Sequence, residues 1–232
     1  MTDKIIQIKG IGSVIFSKNR LSKNIKISVK PDKSVLVSFP YYASRKSVIE
    51  FVQKNEAWIK NQQSKLETRL TRFSEGSVFK TKHFSISFSQ GFENKARKKE
   101  GNVFLTVKDF SSSESQAFIE KVIAEIYRFE AKNILPARLS KLAEQFGFSF
   151  NKVTIRNNKR NWGSCSSRNN ISLNLQMMKM PDNLIDYILL HELVHTEIKN
   201  HSPKFWEKLN QVTGNKARLL AKETRRYSTY LL

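Results

Sequence analysis

Cysteine is nearly absent from this chain, since Cys165 is the only one. A single cysteine excludes an intrachain disulfide, and its rarity suits a reducing compartment. Long apolar runs are missing too: none approaches the roughly 18 residues of a membrane span. The N-terminal segment lacks the apolar core of a secretion signal because Lys9 breaks it. We therefore expect a soluble, cytoplasmic protein with no membrane partner.

Acidic residues are scarce relative to basic ones. The chain has 20 Asp and Glu against 41 Lys and Arg, which gives a formal net charge of +21. Such a charge attracts polyanions, and a distributed basic surface is enough for non-specific binding to nucleic acid. A merely solvated basic surface would explain the same number. The charge therefore makes nucleic acid a candidate partner without specifying a site.

Glycine and proline are also rare, with eight and five among 232 residues, while 39% of the residues are hydrophobic. This composition is typical of a folded protein and excludes disordered or collagen-like chains. The length suits one large domain or two small ones, and it allows a core that needs no metal for stability. A metal site must therefore be argued from its own residues.

The first half of the chain predicts strands and one long helix. Apolar and polar residues alternate through much of residues 5–40, around a turn at residues 31–33, and this is the period of half-buried strands. A helical period follows over residues 44–70. Strands then return on either side of a basic loop expected at residues 95–100. We expect a β-rich N-terminal unit with one long helix over residues 1–111.

The second half predicts a separate domain after a polar serine run. A helix comes first and is expected to be kinked or interrupted at Pro136. Strands follow at residues 152–155 and 170–175, and then a helix, opened by Pro181, that is apolar nearly all round and therefore buried. We expect an α+β fold in which residues 112–232 form a compact domain with a small sheet and this helix.

The strongest chemical signal is the segment His191-Glu192-Leu193-Val194-His195. Residues four apart lie on one face of a helix, about one turn apart, so both imidazoles can point at one place. Glu192 lies about 100° round the helix from His191. Its carboxylate is therefore away from the position of a metal bound by the two histidines, but near a water that this metal would hold. In this H-E-x-x-H arrangement the histidines bind zinc and the glutamate is a general base. A polar helix with no metal is the alternative.

A catalytic zinc site needs a third protein ligand and one open position. His201 reaches the same place as His195 only if the helix ends and the chain turns back. Asn200 tolerates the left-handed conformation common just past a helix end, and Pro203 cannot continue a helix that it follows so closely. Ser202 as N-cap and Pro203 as first residue then predict a second helix.

Four segments occur in a distinctive order: Asn161–Ser167 (NWGSCSS), Asn170–Asn174 (NISLN), Ile185–His195 (IDYILLHELVH) and Asn200–Trp206 (NHSPKFW). Together they resemble the YgjP-like metallopeptidases, relatives of the SprT-type zinc proteases. The resemblance spans about residues 136–212 and implies a zincin-type catalytic domain, with zinc held by His191, His195 and His201 and with Glu192 as catalytic acid and base.

Several residues near the motif have roles that the sequence leaves open. Asn161 stands where the resemblance leads us to expect arginine, and Arg160 lies one position away. A role for Cys165 as a protease nucleophile is the weaker interpretation, because the histidines are better explained as metal ligands. We expect Cys165 to be a small buried residue and Gly163 to form a bulge or tight turn. Tyr187 and Arg160 are candidates for stabilising the oxyanion.

In zinc peptidases of this general type, the strand before the active helix often pairs with an extended substrate. Edge-strand addition gives affinity with little demand on sequence. Residues 170–175 are the candidate strand, and Asn170, Ser172 and Asn174 are the candidate substrate-binding residues on it.

Two other features are expected to be structural. Phe205 and Trp206 should pack the second helix against the first. A predicted C-terminal helix carries a basic face that is expected to be solvated, with contact to phosphates as the alternative; its members are Arg218, Lys222, Arg225 and Arg226.

The main hypothesis is a zinc-dependent metallopeptidase that hydrolyses a protein or peptide substrate through a metal-activated water, with Glu192 as general base, acting near nucleic acid if the charge serves binding. Two alternatives stay open: a basic nucleic-acid-binding protein with a structural zinc site, and a zinc hydrolase of a non-peptide bond. Glu207 and Glu223 stay open as third ligands in place of His201. Nothing in the sequence selects an oligomeric state.

Overall fold

The computed structural model describes residues 4–30, 34–70 and 73–229. Contacts divide the chain into two compact units, Met1–Arg72 and Phe73–Leu232. Each unit combines small sheets with helices, which confirms the expected α+β class. The boundary expected at residues 111 and 112 falls inside the second unit, where the strands before it and the helix after it share one hydrophobic core.

The first unit is a four-stranded sheet with two helices. The strand order is β1-β2-β4-β3, in which β2 and β4 are parallel and the outer pairs are antiparallel. Alternate residues of β2 and β4 enter the core, as the two-residue period predicts. The predicted turn at residues 31–33 lies outside the described residues. The strands are β1 (Lys4–Ile8), β2 (Gly12–Lys18), β3 (Lys26–Val29) and β4 (Val35–Phe39).

The helix expected over residues 44–70 is two helices, α1 (Arg45–Lys54) and α2 (Glu56–Leu70). Asn55 separates them. Its side-chain amide donates a hydrogen bond of 2.8 Å to the carbonyl of Phe51, four residues earlier. Asparagine competes in this way with the backbone bonds of a helix, and a periodicity argument does not detect it.

The second unit begins with another four-stranded sheet, in the order β5-β6-β8-β7. β6 and β8 are parallel, and β5 and β7 run antiparallel to their neighbours. Residues 95–99, expected in a loop, form the edge strand β7; all five are exposed, so no apolar period marks them. The strands are β5 (Val78–Lys80), β6 (Ser85–Gln90), β7 (Lys95–Lys99) and β8 (Asn102–Val107).

One long helix, α3 (Ser113–Phe146), contributes to the same core as the inner face of this sheet. Ser112 caps its first turn by accepting from the backbone N–H of Ser115, and Gly147 ends it with a φ of 73°. The helix continues through Pro136, so the expected interruption is absent, and the alternative of a kink stays a prediction. Leu135 and Leu139 on either side are fully buried, so their packing offsets the hydrogen bond that proline cannot make.

The remaining elements surround one central helix. A three-stranded sheet has the order β10-β11-β9, and a 3₁₀ helix (Leu175–Lys179) leads from it to α4. Helix α4 contacts α3, β10, α5 and α6, which explains why it is apolar nearly all round. No helix among the described residues is long and apolar enough to cross a membrane. The elements are β9 (Lys152–Arg156), β10 (Gly163–Cys165), β11 (Asn170–Asn174), α4 (Asp182–Glu197), α5 (Pro203–Val212) and α6 (Ala217–Thr224).

Candidate metal centre

Helix α4 is fixed at its first turn by an arginine from α3. Arg138 donates to the Oδ2 of Asp186 at 2.9 Å and to the carbonyl of Asp182 at 3.2 Å. The hydrogen bond to Asp186 is the largest cause of a raised pKa for the Arg138 guanidinium. Together with the buried apolar surface of α4, this paired contact fixes the helix that carries the H-E-x-x-H segment.

His191 and His195 lie one turn apart on α4, with their ring centroids 4.9 Å apart. The helix ends at Glu197, and Ile198 adopts an extended conformation. The carbonyl of Ile198 thereby lies 3.0 Å from Nδ1 of His195. A ring nitrogen beside a carbonyl oxygen carries the proton, so Nε2 of His195 is left with a lone pair for a metal.

His201 returns to the same place from beyond the helix end. Its Nε2 lies 3.1 Å from Nε2 of His191 and 3.3 Å from Nε2 of His195. Zinc–nitrogen bonds of about 2.05 Å at tetrahedral angles would put ligand nitrogens about 3.3 Å apart. His201 is therefore spaced from each of the other two histidines as ligands of one zinc ion are, and all three ligand atoms lie within 4.8 Å of one another. A tetrahedral ion held by three residues would keep a fourth position.

The reversal that brings His201 back differs in detail from the expected one. Asn200 is not among the described residues with a left-handed backbone. The chain instead leaves α4 through the extended Ile198, and Oδ1 of Asn200 accepts from the N–H of Ser202 at 3.3 Å. Helix α5 then begins at Pro203 with Ser202 as its N-cap residue, as predicted, although the Ser202 side chain makes no capping hydrogen bond.

The surroundings of His191 and His195 favour neutral rings, the form that binds a metal. Burial, followed by the neighbouring His195 and His201, lowers the pKa of His191 to about 3. Burial is also the largest cause of a lowered pKa for His195. Within the described ranges, His191, His195 and His201 are the only group of three or more metal-ligating side chains brought together, and neither Glu207 nor Glu223 belongs to it.

The ring of Phe205 packs against the rings of all three histidines, a role that sequence reasoning missed. It is fully buried, and its ring centroid lies 4.9, 4.5 and 4.7 Å from those of His191, His195 and His201. The sequence predicted only that Phe205 packs α5 against α4. Its position two residues after the first residue of α5 places it on the helix face that looks back at α4, which was the available signal.

Glu192 lies beside the histidines and is buried, with 4% of its surface exposed. Its Oε2 has no hydrogen-bond partner in the described part of the chain. Burial raises the pKa of Glu192 to about 8. A buried carboxylate without partners is costly in a purely structural helix, so it fits a site built around a cation and a water.

Gly163 allows Glu192 to take this position. A Cβ on Gly163 would lie 2.6 Å from both Cγ and Oε1 of Glu192, and real Cβ atoms do not approach that closely. From the sequence we expected Gly163 to form a bulge or tight turn. The structure gives a different reason: it is the second residue of the Trp162-Gly163-Ser164-Cys165 run, on β10, where that strand passes directly over the carboxylate.

The structure gives Cys165 no sign of activation as a nucleophile. Burial is the largest cause of a raised pKa for its thiol, so the unreactive protonated form is favoured. Lys199, just past α4, lies 3.9 Å from its sulfur and donates to the carbonyl of Ser166 at 3.1 Å. The role of Lys199 is to tie the end of β10 to the end of the active helix.

Strand β11 is not the edge strand that the sequence predicted for substrate pairing. It is antiparallel to β10 on one side and parallel to β9 on the other, so both of its edges are occupied. Ser172 pairs with Ser164 and Thr154. The exposed Asn170 uses its backbone in a turn, donating to Oγ of Ser166 at 3.1 Å.

Asn174 is a structural residue rather than a substrate ligand. It is 1% exposed. Its amide donates to the carbonyls of Asn158 at 2.6 Å and Asn161 at 2.9 Å, and its Oδ1 accepts from the N–H of Gln176 at 3.0 Å. These three bonds leave no accessible polar atom for substrate, and they fix the loop that leads into β10.

The candidates for an oxyanion ligand differ in their surroundings. Tyr187 is buried next to His191, with ring centroids 6.1 Å apart, and burial raises its pKa to about 12, against the opposing charges of Arg218 and Arg225. Arg160 is exposed. Asn161, found where we expected arginine, donates to the carbonyl of Gly163 at 3.1 Å.

The expected basic face on the last helix is shorter than predicted. Helix α6 ends at Thr224, so Arg225 is its C-cap and Arg226 lies beyond it. Arg218 stacks on the ring of Trp206 at 3.6 Å, and that ring lies 6.4 Å from the His201 ring. Part of this basic face therefore packs next to the candidate metal centre.

Comparison with known proteins gives a family. The chain is similar to crystal structures of two metallopeptidase zymogens, Pyrococcus abyssi abylysin and Methanocaldococcus jannaschii jannalysin, with 22% and 24% identity and TM-scores of 0.36 and 0.35. Each match covers 40% of this chain and 94% of the other. No curated protein matches the chain. Residues 23–223 match the family described as YgjP-like, metallopeptidase domain, and the chain therefore belongs to the YgjP-like metallopeptidase family.

Proposed function

We propose that this metallopeptidase is a zinc enzyme in which His191, His195 and His201 bind the ion and Glu192 is the general base. The family supports a metal ion and a protein or peptide substrate. The observation that carries the finer assignment is that Nε2 of His201 lies 3.1 and 3.3 Å from Nε2 of His191 and His195, with all three ligand atoms within 4.8 Å of one another, a convergence that suits one zinc ion.

Each residue has a separate task in peptide hydrolysis. Zinc, when bound, supplies Lewis acidity at the peptide carbonyl and lowers the pKa of a bound water towards ~7. Glu192 takes a proton from the attacking water on a carboxylate oxygen and then donates it to the leaving amine. Burial of this carboxylate excludes bulk water from the proton path.

We also infer that β10, rather than β11, pairs with the substrate backbone. β10 is one of the two edge strands of its sheet, and it is the edge on which Gly163 lies against Glu192. A peptide added to this edge would pass beside the base. Peptides that carry a single N-methyl group at successive positions test this: cleavage should fail at alternate positions, the period of a strand. Uniform tolerance of N-methylation would contradict it.

Substitution of Glu192 by glutamine tests the catalytic proposal. Wild type and Glu192→Gln are compared for zinc content by elemental analysis and for cleavage of a mixed peptide library by mass spectrometry. We expect the variant to keep its zinc and lose at least about 100-fold in rate. Glu197→Gln, on the same helix but exposed, is the matched control and should retain activity. If Glu192→Gln retained both its zinc and its peptide-cleaving activity, the proposal would be wrong.

Substitution of His201 tests the ligand set. His201→Ala should lose most of its zinc affinity, since only two protein ligands would remain. Unchanged stoichiometry and affinity would assign the third position to another group, with Glu207 and Glu223 as the next variants to make. Simple ester and amide substrates, assayed beside the peptide library, address the non-peptide alternative: turnover of these alone would favour it.

The alternative of a nucleic-acid-binding protein with a purely structural zinc site has less support. A structural site is normally closed by four protein ligands, whereas the described side chains supply three. A purely structural site would also leave the buried, unpartnered Oε2 of Glu192 unexplained.

A further inference from the structure

The outer face of the sheet formed by β5 to β8 is open and carries an unusual set of side chains. The inner face of β6 and β8 is buried, so the alternate residues of these strands point outward. Strand register aligns the outward residues in three rows across the sheet. These rows are Val78, Ser87, Phe104 and Arg97; Lys80, Ser85, Asn102 and Lys99; and Ser89, Thr106 and Lys95.

Two phenylalanine rings are exposed at this face. Phe104 is 49% exposed in the middle of its row, and Phe92, in the loop between β6 and β7, is 102% exposed. A Cβ on Gly91 would lie 2.3 Å from the Thr106 side chain, so the loop is held against β8. Phe92 and Phe104 border the same groove. A fully exposed ring contributes little to folding, and neighbouring exposed apolar groups often mark a binding surface.

Cations line the edge of the same groove. Lys95, Arg97 and Lys99 alternate along β7 on the outer face, so they repeat about every 6.8 Å. Lys98 also borders the groove, but its ammonium lies 4.6 Å from the Phe84 ring centroid. Lys95 is paired with Glu93 at 2.9 Å, but both are exposed and such a pair is weak.

We propose that this face, defined by Phe92, Phe104, Lys95, Arg97 and Lys99, binds single-stranded nucleic acid. The spacing of the cations along β7 is comparable to that of phosphates in an extended strand, and the two rings offer stacking platforms for unpaired bases. The Ser, Asn and Thr side chains between them are small enough to let bases approach. A duplex hides the faces of its bases, so the exposed rings favour a single strand.

Protection of the sheet edge is a simpler explanation for the charged residues of β7, because charged edge strands resist pairing with other chains. It explains β7 but neither exposed phenylalanine. The inference is also independent of the peptidase proposal, since none of these residues belongs to the candidate metal centre.

Binding of a fluorescein-labelled 20-nucleotide oligo(dT) to the full chain, followed by anisotropy at several NaCl concentrations, tests the proposal. Arg97→Ala/Lys99→Ala should reduce the slope of log K against log salt by about 1.4, from two lost phosphate contacts. The matched control, Lys121→Ala/Lys132→Ala, removes two exposed charges from α3 and should leave the slope unchanged. Equal losses in both variants would indicate diffuse charge and overturn the proposal.

The rings are tested separately. Phe92→Ser/Phe104→Ser should weaken oligo(dT) binding at least about fivefold, whereas Leu219→Ser, at a 54% exposed site on α6, should not. Phe104→Leu keeps the apolar bulk and the strand but should still weaken binding, and Phe104→Tyr should restore it. Binding within twofold of wild type for the double variant would overturn the proposal. So would tighter binding of a 20-base-pair duplex, or of a polyglutamate peptide, than of the single strand.

Discussion

At the scale of single residues, the candidate metal centre depends on residues other than the three proposed ligands. The H-E-x-x-H segment and His201 are readable from spacing, because a helix face and a helix stop are local properties. Gly163 acts through a contact with Glu192, about 30 positions away. Phe205 contacts His191 and His195 on a different helix as well as the nearby His201. Periodicity contains no information on such contacts, so only generic roles could be predicted for these residues.

Replacement of Gly163 by alanine should impair catalysis without removing the metal. The new Cβ would collide with Glu192, which must move, and a misplacement of about 1 Å can cost roughly 100-fold in rate. We expect kcat/KM for peptide cleavage to fall by about that factor while zinc content stays constant. Ser164→Ala, on the same strand but exposed, is the control. Wild-type activity in Gly163→Ala would contradict the assigned contact.

Replacement of Phe205 by leucine should weaken zinc binding as well as the fold. Loss of part of a buried side chain costs roughly 1–3 kcal/mol, and in addition the three histidine rings lose their common support. We expect zinc affinity, measured by chelator competition, to fall roughly tenfold. Phe88→Leu, at another buried phenylalanine of the same unit, should lower the free energy of unfolding similarly without changing zinc affinity. Equal zinc affinities for both variants would refute the role of Phe205.

At the scale of elements, the sequence predicted which segments are strands and helices better than how they pair. The strand at residues 170–174 was expected, and its position in the centre of its sheet was not. Its partner β10 has only three residues, too few for a strand period to be visible. Likewise Pro136 forbids a helical hydrogen bond locally, but the buried neighbours that keep α3 continuous become visible only in the packed structure.

Substitution of Asn174 by alanine should destabilise the fold. Two carbonyls and one N–H would lose their partners at a buried site, which costs about 1–3 kcal/mol. Urea denaturation of the zinc-free protein measures this without a contribution from metal. Asn170→Ala, at an exposed position, should stay within about 0.5 kcal/mol of wild type. A neutral Asn174→Ala would show that the loop before β10 is held by other contacts.

At the scale of the whole molecule, the charge of +21 and the candidate metal centre are separate features. The candidate metal centre is built from three histidines and a buried glutamate, whereas the excess of lysine and arginine lies on the surface. Composition therefore predicted an acidic partner but no location for it. The location we propose came from strand register, which placed Phe104 beside Arg97.

Salt should stabilise the protein against heat. A net charge of +21 destabilises the compact state by self-repulsion, and screening relieves it. We expect the Tm to rise as NaCl increases from about 20 to about 200 mM, across which the Debye length falls to below ~10 Å. Sucrose at equal osmolarity is the control for effects other than screening. A Tm that falls with NaCl would show that paired surface charges outweigh the repulsion.

The most direct test of the central claim is X-ray absorption at the zinc edge of the zinc-loaded chain. The account predicts three imidazole nitrogens and one oxygen from water, at about 2.0–2.1 Å, and the loss of one imidazole in His201→Ala. A shell of four protein ligands, or a carboxylate in place of the third imidazole, would contradict it.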